Sequence, residues 1–425
     1  MKEDNVLPNK IHERKMDKTD IPGNTFSAQG GSALGGNAGG TLGPVNKTNM
    51  TRIWNHSIKL MTSKHRQPFD PAQGKSKRKV FVGLSGGVDS AVSAALLKEQ
   101  GHDVVGVFIK IWQPEFVECT WKEDRLDAMR VCVALGIPFH EIDLSDEYKK
   151  EVVKRMVFDY ARGITPNPDV LCNRHIKFGA FAKWAYAEGA EAIATGHYAR
   201  TQQADGHYRL LRGKDAAKDQ SYFLYRLDRH ELARVHFPVG ELTKPQVRAA
   251  AKRFDLPVAQ KPDSQGLCFV GEVSMRNFLS RYIPVEEGAV IDMQGKTIGK
   301  HQGAAFYTLG QRHGFEAATG NSSQGPAYVV SIEVATNTLR VSPRRGDAER
   351  RAAALQDEHW VNNAPAVPAR LEAQTRYHEK PVLATLAREH GRLIAMFDEP
   401  HIASPGQSMV LYDGDVVVGG GIIAS

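Results

Sequence analysis

Two patterns of apolar and polar positions follow each other along the chain. In the first, a short apolar run at Val80–Leu84 predicts a buried strand, and the segment from Ser90 to Gln100 predicts a helix that ends at Gly101. The same succession continues through predicted strands at 103–109, 139–142 and 192–195 and predicted helices at 124–135 and 176–188. Strands that alternate with helices of this length predict a parallel sheet with right-handed crossovers.

The second pattern begins after about Glu272, where helical periodicity fades. Short apolar runs separated by glycines predict strands at 295–299, 328–332, 338–341 and 415–418. The predicted fold class is therefore α/β, with a parallel-sheet domain followed by two small β-rich, barrel-like domains. The predicted domains are an extension at 1–77, a parallel-sheet catalytic domain at 78–272, a central β-rich domain at 273–345 and a C-terminal β-barrel domain at 346–425.

The first 77 residues differ in composition from the rest. They contain a glycine-rich tract, Gly30–Gly40, and show no helical or strand period, so we expect a disordered low-complexity extension. A misassigned start, with Met50 or Met61 as the true one, is another interpretation. A transit peptide is disfavoured by the acidic residues Glu3, Asp4, Glu13, Asp17 and Asp20.

Length and composition narrow the class of protein. At 425 residues the chain is long enough for two or three domains, and 41% hydrophobic residues suit globular packing. No apolar run of about 18 residues occurs, so no transmembrane helix or membrane partner is predicted. The formal net charge of +7 fits an acidic partner such as nucleic acid, although an ordinary basic soluble protein has the same balance.

The four cysteines are Cys119, Cys132, Cys172 and Cys268, and no two of them form a CxxC pair. This spacing argues against a zinc ribbon and against a disulfide scaffold. The N-terminus lacks the apolar segment of a secretory signal, so we expect a reducing, cytoplasmic location. Cys119 and Cys132, which lie near or on the helix predicted at 124–135, are interpreted as structural.

A glycine-rich loop, GLSGGVDS at residues 83–90, joins the first strand to the first helix. Glycines let the backbone turn its N–H groups toward one anion-sized hollow, and the positive end of the helix dipole points at the same hollow. Ser85 and Ser90 add hydroxyl donors, and Asp89 is expected to bind Mg²⁺ or to cap backbone groups. The alternative is a plain glycine turn. The loop is neither a Walker A sequence nor GxGxxG.

Strand, SGGxDS and helix in this order resemble the pyrophosphatase loop (PP-loop) of the N-type ATP pyrophosphatases, which have an adenine nucleotide alpha hydrolase-like fold. The resemblance implies that ATP is cleaved between its α- and β-phosphates, that AMP is transferred to an oxygen and that pyrophosphate leaves. It indicates the activation chemistry but not the substrate, because several synthetases and tRNA-modifying enzymes share this loop.

Two cysteines lie in motifs that suit sulfur chemistry. Cys172 ends the stretch TPNPDVLC, whose prolines predict a stiff, exposed turn, and we expect it just before a helix that begins near residues 173–176. A thiol near a helix N-terminus has a stabilised thiolate, and Asp169 can act as acid or base beside it. Cys268 lies in DSQGLCF. Each cysteine alone is more often a small buried residue, but a pair can carry sulfur as a persulfide and end as a disulfide.

The motifs PNPDVLCN, ATGHYAR, KDQSYFLY, DSQGLCF and PGQSMVLYDGDVVVGGGII follow each other along the chain. Together they resemble the tRNA-specific 2-thiouridylases of bacteria and mitochondria, and the resemblance extends from about Arg78 to Ser425. It implies an enzyme that uses ATP to activate a tRNA uridine and then replaces its 2-oxygen with sulfur. The bacterial form is expected, because no convincing transit peptide is present.

The resemblance also implies roles for individual residues. Cys172 is the implied nucleophile, Cys268 the persulfide carrier and Asp169 the acid or base. The implied ATP-binding residues are Gly83, Leu84, Ser85, Gly86, Gly87, Val88, Asp89, Ser90, Ile109 and Gly196. The implied tRNA-contacting residues are Asn167, Pro168, Asp169, His197, Lys218, Asp219, Gln220, Arg376, Tyr377 and Gln407, of which the first three surround a flipped-out uridine.

The chain departs from the family pattern at residues 108–112, where it reads FIKIW instead of FMKNW. This keeps an apolar wall at Ile109 and loses the family's asparagine. Two of the implied tRNA contacts have ordinary alternatives, since Arg376 also suits a solvated surface charge and Tyr377 a residue within the barrel.

The implied cofactor is ATP with Mg²⁺. No protein-bound metal is expected, because His301 and His313 lack a second ligand at metal-like spacing. The implied partners are tRNA, with the Lys, Glu and Gln acceptors expected, and a cysteine desulfurase or sulfur-relay protein.

Three other functions fit parts of the sequence. An ammonia-using amidotransferase shares the loop but needs no reactive cysteine pair. A 4-thiouridine synthetase is closer, but no separate RNA-capture domain is visible before the loop. A non-catalytic RNA-binding protein with a relic nucleotide fold is disfavoured by the intact Ser85–Ser90 loop and by both cysteines.

Overall fold

The computed structural model of the protein describes residues 77–116, 121–263, 274–317 and 326–425. The glycine-rich tract of the predicted extension lies outside these ranges, as do Cys119 and Cys268. The strands are β1 (Lys79–Leu84), β2 (Asp103–Lys110), β3 (Phe139–Asp143), β4 (Ala192–Ala194), β5 (Ala199–Ala204), β6 (His207–Arg212), β7 (Val235–His236), β8 (Gly288–Ile291), β9 (Thr297–His301), β10 (Glu316–Ala317), β11 (Tyr328–Glu333), β12 (Thr338–Ser342), β13 (Arg350–Trp360), β14 (Ala369–Gln374), β15 (Val382–Glu389), β16 (Arg392–His401), β17 (Ser408–Asp413) and β18 (Val416–Ile423).

The helices lie mostly before residue 260. They are α1 (Val88–Glu99), α2 (Trp121–Leu135), α3 (Ser145–Tyr148), α4 (Lys154–Ala161), α5 (Pro168–Leu171), α6 (Phe181–Ala187), α7 (Arg229–Leu232), α8 (Lys244–Arg253) and α9 (Met275–Leu279). Two π-helical stretches, Lys149–Val153 and Cys172–Ala180, join α3 to α4 and α5 to α6. Single 3₁₀ turns occur at Ser221–Leu224, Ala304–Phe306 and Arg345–Ala348.

A five-stranded sheet has the order β3-β2-β1-β4-β7, and all of its pairings are parallel. This confirms the predicted parallel sheet. Alternate residues of β1 face opposite sides, as the period of a strand requires, so Phe81 belongs to one core cluster and Val80 and Val82 to another. Both faces are therefore covered, which explains why β1 reads as a continuous apolar run.

The strand order reverses at β1, because β2 and β3 lie on one side of it and β4 on the other. Such a reversal opens a crevice at the carboxyl ends of the strands, which is the usual ligand site of open α/β sheets. The loop after β1 lies at this crevice, and so does Gly196, just beyond β4. A Cβ built on Gly196 would come within 2.6 Å of the backbone nitrogen of Ser90.

The helix predicted at 176–188 begins earlier, so the prediction that Cys172 precedes it was wrong. Helix α5 begins at Pro168 and continues without a gap through the π-helical stretch into α6. Asn167 caps this start, because its Oδ1 accepts a hydrogen bond from the N–H of Val170 at 3.2 Å. An Asn cap followed by proline is a strong helix-start signal that outweighs the expectation of an exposed turn. Cys172 therefore lies in the second turn.

The rest of the chain is β-rich, as predicted. One five-stranded sheet has the order β10-β9-β8-β12-β11. A second sheet contains six strands in the order β13-β16-β15-β14-β17-β18, and the pairing of β13 with β18 closes them into a barrel. Closure leaves no unpaired edge between these two strands.

A hairpin that the sequence analysis did not predict connects the parallel-sheet domain to the barrel. Strands β5 and β6 pair through a turn at Asp205 and Gly206, which both have positive φ, at 52° and 76°. That geometry suits the Asp-Gly turn of a two-residue hairpin. Strand β6 also pairs with β18, with Leu211 opposite Val416, so the hairpin extends the barrel sheet to eight strands.

Candidate active site

The loop between β1 and α1 has the shape of an anion cradle. Gly86 has a φ of +72°, and a Cβ there would come within 2.5 Å of the backbone oxygen of Asp124, so the position requires glycine. The N–H of Ser85 donates to Ser90 Oγ at 3.2 Å, which holds the turn closed. Gly87, the residue at the N-cap of α1, offers no side-chain acceptor to the first turn. The N–H groups of that turn are therefore suited to an anion.

Two further residues predicted to bind ATP lie beside this loop. Ile109 packs over Gly83, since its Cδ1 would stand 3.4 Å from a Cβ at that position. Gly196 approaches the backbone at Asp89 and Ser90 so closely that any side chain would overlap it. The structure thus brings the predicted nucleotide residues to one place, although their contact with ATP stays a prediction.

The Asp89 carboxylate has partners that the sequence analysis missed. Its two oxygens accept hydrogen bonds from Lys244 Nζ at 2.7 and 2.9 Å, and Oδ1 also accepts one from Tyr198 Oη at 2.8 Å. Lys244 also contacts Asp263 Oδ1 at 2.8 Å. Asp89 therefore holds the loop to the start of α8 through these side-chain contacts.

Asp169 lies on the first turn of α5 and is partly buried. Burial raises the pKa of its carboxyl group above the usual value, although the positive charge of Lys177 opposes that rise. A carboxyl group with a raised pKa exchanges protons more readily near neutral pH, which is the property expected of an acid or base. The Cys172 side chain is 6% exposed and packs in the same core cluster as Val170 and Phe178.

His197 lies in the interior and is 8% exposed. Its Nδ1 is 2.7 Å from Thr195 Oγ1 and its Nε2 is 3.4 Å from Lys177 Nζ. Burial lowers the pKa of His197 well below the usual value, and the charge of Lys177 lowers it further, so the ring is neutral. Phe178 and Phe237 pack around the ring. Its place in a tRNA contact stays a prediction.

The side chains of the KDQ segment at 218–220 all have partners within the protein. Lys218 Nζ pairs with Asp263 Oδ2 at 2.9 Å. Asp219 Oδ1 accepts hydrogen bonds from the N–H groups of Gly213 and Ser221. Gln220 Oε1 accepts one from the N–H of Tyr198 at 3.0 Å. These bonds hold the segment beside Tyr198, the residue that precedes β5.

Two of the three predicted tRNA residues of the barrel, Gln407 and Tyr377, lie near the start of α5. Gln407 Nε2 donates to the carbonyl oxygens of Thr165 and Pro166 at 2.9 and 3.1 Å. The Tyr377 ring lies 4.3 Å from that of Phe223, and its pKa is raised to about 12 by burial and by the charges of Asp219 and Asp169. Arg376 is exposed and reaches the carbonyl oxygen of Leu309.

Comparison with known proteins decides the family. Models of three domains match successive parts of the chain: the tRNA methyl transferase HUP domain at 78–272, the tRNA methyl transferase PRC-barrel domain at 276–343 and the Aminomethyltransferase beta-barrel domain at 350–423. The chain is 44% identical over 357 residues to the tRNA-specific 2-thiouridylase MnmA of Yersinia pestis (strain Pestoides F), covering 82% of this chain and 96% of that protein. The protein belongs to the tRNA-specific 2-thiouridylase family.

The MnmA protein of Yersinia pseudotuberculosis serotype O:1b (strain IP 31758) gives the same identity and coverage. Among solved structures, the U34-tRNA thiolase NcsA from Methanococcus maripaludis is 20% identical with a TM-score of 0.30, and the match covers 49% of this chain and 68% of that one. The resemblance drawn from the motifs is confirmed by the curated 2-thiouridylases.

Cys268, the predicted persulfide carrier, lies outside the described residues. Within the described residues, no group of three or more His, Cys, Asp or Glu side chains could hold a metal ion. No helix in that part of the chain is long and apolar enough to cross a membrane.

Lys244 and Tyr198 are the main site residues that sequence reasoning missed. Thr243, Lys244 and Pro245 carry helix-start signals, and these do start α8 with a capping box. Nothing in that local pattern indicates that the Lys244 ammonium group reaches a carboxylate 155 positions earlier. Tyr198 belongs to the motif ATGHYAR, but its hydroxyl could be assigned to Asp89 only from the fold.

Asp169→Asn should lower thiolation and raise stability at the same time. The folded protein binds a proton at Asp169 more readily than the unfolded chain does, because the folded pKa is raised. The ionised carboxylate therefore costs stability above the unfolded pKa of about 3.9. We expect a rise in Tm of about 1–3 °C at pH 7.5, a smaller rise at pH 4.5, and a loss of activity of about 100-fold.

Thermal unfolding at the two pH values, run beside a thiolation assay, checks this prediction. Asp103→Asn removes an exposed carboxylate at the start of β2 and serves as the control. An Asp169→Asn variant that is less stable than wild type at pH 7.5 would contradict the account of Asp169.

Proposed function

We propose that this protein is an ATP-dependent tRNA uridine 2-sulfurtransferase. The observation that carries the proposal is the 44% identity to a curated 2-thiouridylase, which extends over 96% of that relative. The geometry of the phosphate loop supports it, because an anion cradle lies at the strand-order reversal, where a nucleotide is expected. We propose that the parallel-sheet domain at 78–272 activates the substrate, and that the barrel at 346–425 contacts tRNA.

The first step is the activation of the uridine. The loop at 83–90 holds the ATP phosphates, and the 2-carbonyl oxygen of the uridine attacks the α-phosphate. Pyrophosphate leaves, and the oxygen becomes part of an adenylate, so a poor leaving group is converted into AMP. The loop residues support this step through their N–H groups and through the positive end of α1.

The second step is the transfer of sulfur. A persulfide on Cys268 supplies the sulfur, which attacks the activated carbon and displaces AMP. Cys172 attacks the γ-sulfur of Cys268 and breaks the S–S bond of the persulfide. This either frees hydrosulfide, which then attacks the activated carbon, or follows attack of the outer persulfide sulfur on that carbon. Both routes end in a Cys172–Cys268 disulfide, which a reductant must cleave before the next turnover. Asp169, with its raised pKa, moves the protons.

The recognition of tRNA draws on the basic balance of the chain, a formal net charge of +7. Asn167, Pro168 and Asp169 are proposed to surround the flipped-out uridine. His197, Lys218–Gln220, Arg376, Tyr377 and Gln407 are proposed to contact other parts of the tRNA. We expect the wobble uridines of Lys, Glu and Gln tRNAs as targets.

The proposal includes a sulfur donor and a metal ion. A cysteine desulfurase or a relay protein would load Cys268, and a reducing cytoplasm suits a disulfide that must be cleaved in each cycle. Mg²⁺ would enter with ATP, and Asp89 is the loop carboxylate that could contact it. The metal would neutralise charge on the phosphates.

The nucleotide products test the activation step. The protein is incubated with unmodified tRNA, Mg²⁺–ATP and sulfide, and the products are separated by chromatography. We expect AMP and pyrophosphate in equal amounts, formed only when tRNA is present. Formation of ADP and inorganic phosphate would contradict cleavage between the α- and β-phosphates.

A further inference from the structure

Asp263 occupies a central position in a network of charged side chains. Its Oδ1 contacts Lys244 Nζ at 2.8 Å and an Arg248 guanidinium nitrogen at 2.7 Å, and its Oδ2 contacts Lys218 Nζ at 2.9 Å. Burial raises its pKa, but the hydrogen bonds from Lys244 and Lys218 outweigh burial and lower the pKa to about 2. The carboxylate is therefore ionised near neutral pH.

The network connects two parts of the site that are far apart in sequence. On one side, Lys244 contacts both oxygens of Asp89 in the phosphate loop, and its side chain is 14% exposed. On the other side, Lys218 belongs to the KDQ segment and is 41% exposed. Charges therefore alternate from Lys218 through Asp263 and Lys244 to Asp89.

We propose that Asp263 is a positioning residue that couples the nucleotide site to the tRNA site through Lys244 and Lys218. The inference rests on the proposed function, because it takes Mg²⁺–nucleotide and tRNA as the two ligands. A phosphate of tRNA near Lys218 weakens the Lys218–Asp263 pair. Asp263 then holds Lys244 more strongly, and Lys244 releases Asp89 toward the metal ion of the nucleotide.

Because positive and negative side chains alternate along the network, the coupling between the two ligands is favourable. Each ligand tightens the binding of the other, and the two factors must be equal because binding free energies are linked. The coupling acts through close, partly buried pairs, in which charges are screened less than on an open surface.

Equilibrium binding tests the coupling without relying on turnover. The affinity of the full-length protein for α,β-methylene-ATP with Mg²⁺ is measured by calorimetry, with and without saturating unmodified tRNA. In wild type we expect tRNA to tighten nucleotide binding by about fivefold or more. In Asp263→Asn, which keeps the shape of the side chain and removes its charge, the factor should fall below about twofold.

Two further variants separate coupling from general damage. Glu99→Gln removes the Glu99–Arg253 pair at 3.0 Å, which also joins α1 to α8 but lies away from the loop, and it should keep the wild-type factor. Lys218→Met removes only the Lys218–Asp263 pair, and tRNA should then no longer tighten nucleotide binding. This variant therefore tests the coupling even if Asp263→Asn does not fold.

The results have distinct meanings. The inference is overturned, and the proposed function stands, if tRNA leaves the nucleotide affinity of wild type unchanged or weakens it. The same holds if Asp263→Asn or Lys218→Met keeps the wild-type increase in nucleotide affinity. If wild type fails to bind tRNA or nucleotide at all, the proposed function is overturned together with this inference.

Discussion

Replacing Cys172 by serine should abolish the formation of 2-thiouridine while tRNA-dependent release of pyrophosphate continues. A serine hydroxyl can neither attack a persulfide nor form a disulfide, so the sulfur step loses its nucleophile. Loss of the nucleophile commonly costs at least about a thousandfold in rate. Thionucleoside and pyrophosphate are measured in the same reaction, because pyrophosphate leaves in the activation step and the thionucleoside forms in the sulfur step.

Cys132→Ala is the matched control. Cys132 is 1% exposed on α2, and burial raises its pKa to about 12, so its thiol is inert. Its side chain fills the space beside Gly106, where a Cβ would overlap the sulfur. The control should keep thiolation and lose only some stability. Thiolation by Cys172→Ser at more than about a tenth of the wild-type rate would rule out the nucleophile assignment.

Gly86→Ala should weaken ATP binding by about 100-fold or more. Alanine at a φ of +72° costs about 1–2 kcal/mol, and its Cβ would also overlap the Asp124 backbone. The loop must shift to relieve that overlap, and the N–H groups would then no longer converge on the phosphates. A hundredfold loss corresponds to about 2.7 kcal/mol of binding free energy.

Gly206→Ala separates backbone strain from the loss of the cradle. Gly206 has a φ of +76° in the β5–β6 turn, and nothing lies within 4 Å of a Cβ there. This control carries the same conformational cost without an overlap, so its ATP affinity should match wild type. Calorimetric titration with Mg²⁺–ATP measures both variants. Unchanged affinity in Gly86→Ala would contradict the role of the loop.

The parallel sheet and the phosphate loop were predictable because their signals are local. Val80–Leu84 is apolar on both faces, and the glycines that follow fit only a tight turn before a helix. Cys132 was likewise predictable as a structural residue from its place in a helix. Each of these features depends on a few neighbouring residues, whose conformational preferences agree with the fold.

Other features depend on contacts that the sequence does not display. The start of α5 was misplaced because two prolines were taken as a turn, although Asn167 and Pro168 also form a helix start. Strand β6 pairs with β18, about 200 positions later, and no local pattern selects that partner. The same holds for Lys244, whose ammonium group reaches Asp89 only after α8 packs against α1.

Mass spectrometry of nucleosides tests the central claim most directly. Unmodified tRNA is incubated with the protein, Mg²⁺–ATP and a competent sulfur donor, beside Cys172→Ser and Cys268→Ser, and is then digested. The account predicts 2-thiouridine with wild type and none with either variant. ATP turnover by wild type without any thionucleoside would contradict the account and favour an amidotransferase with the same loop. Thiolation by Cys268→Ser would contradict the role of Cys268 as the sulfur carrier.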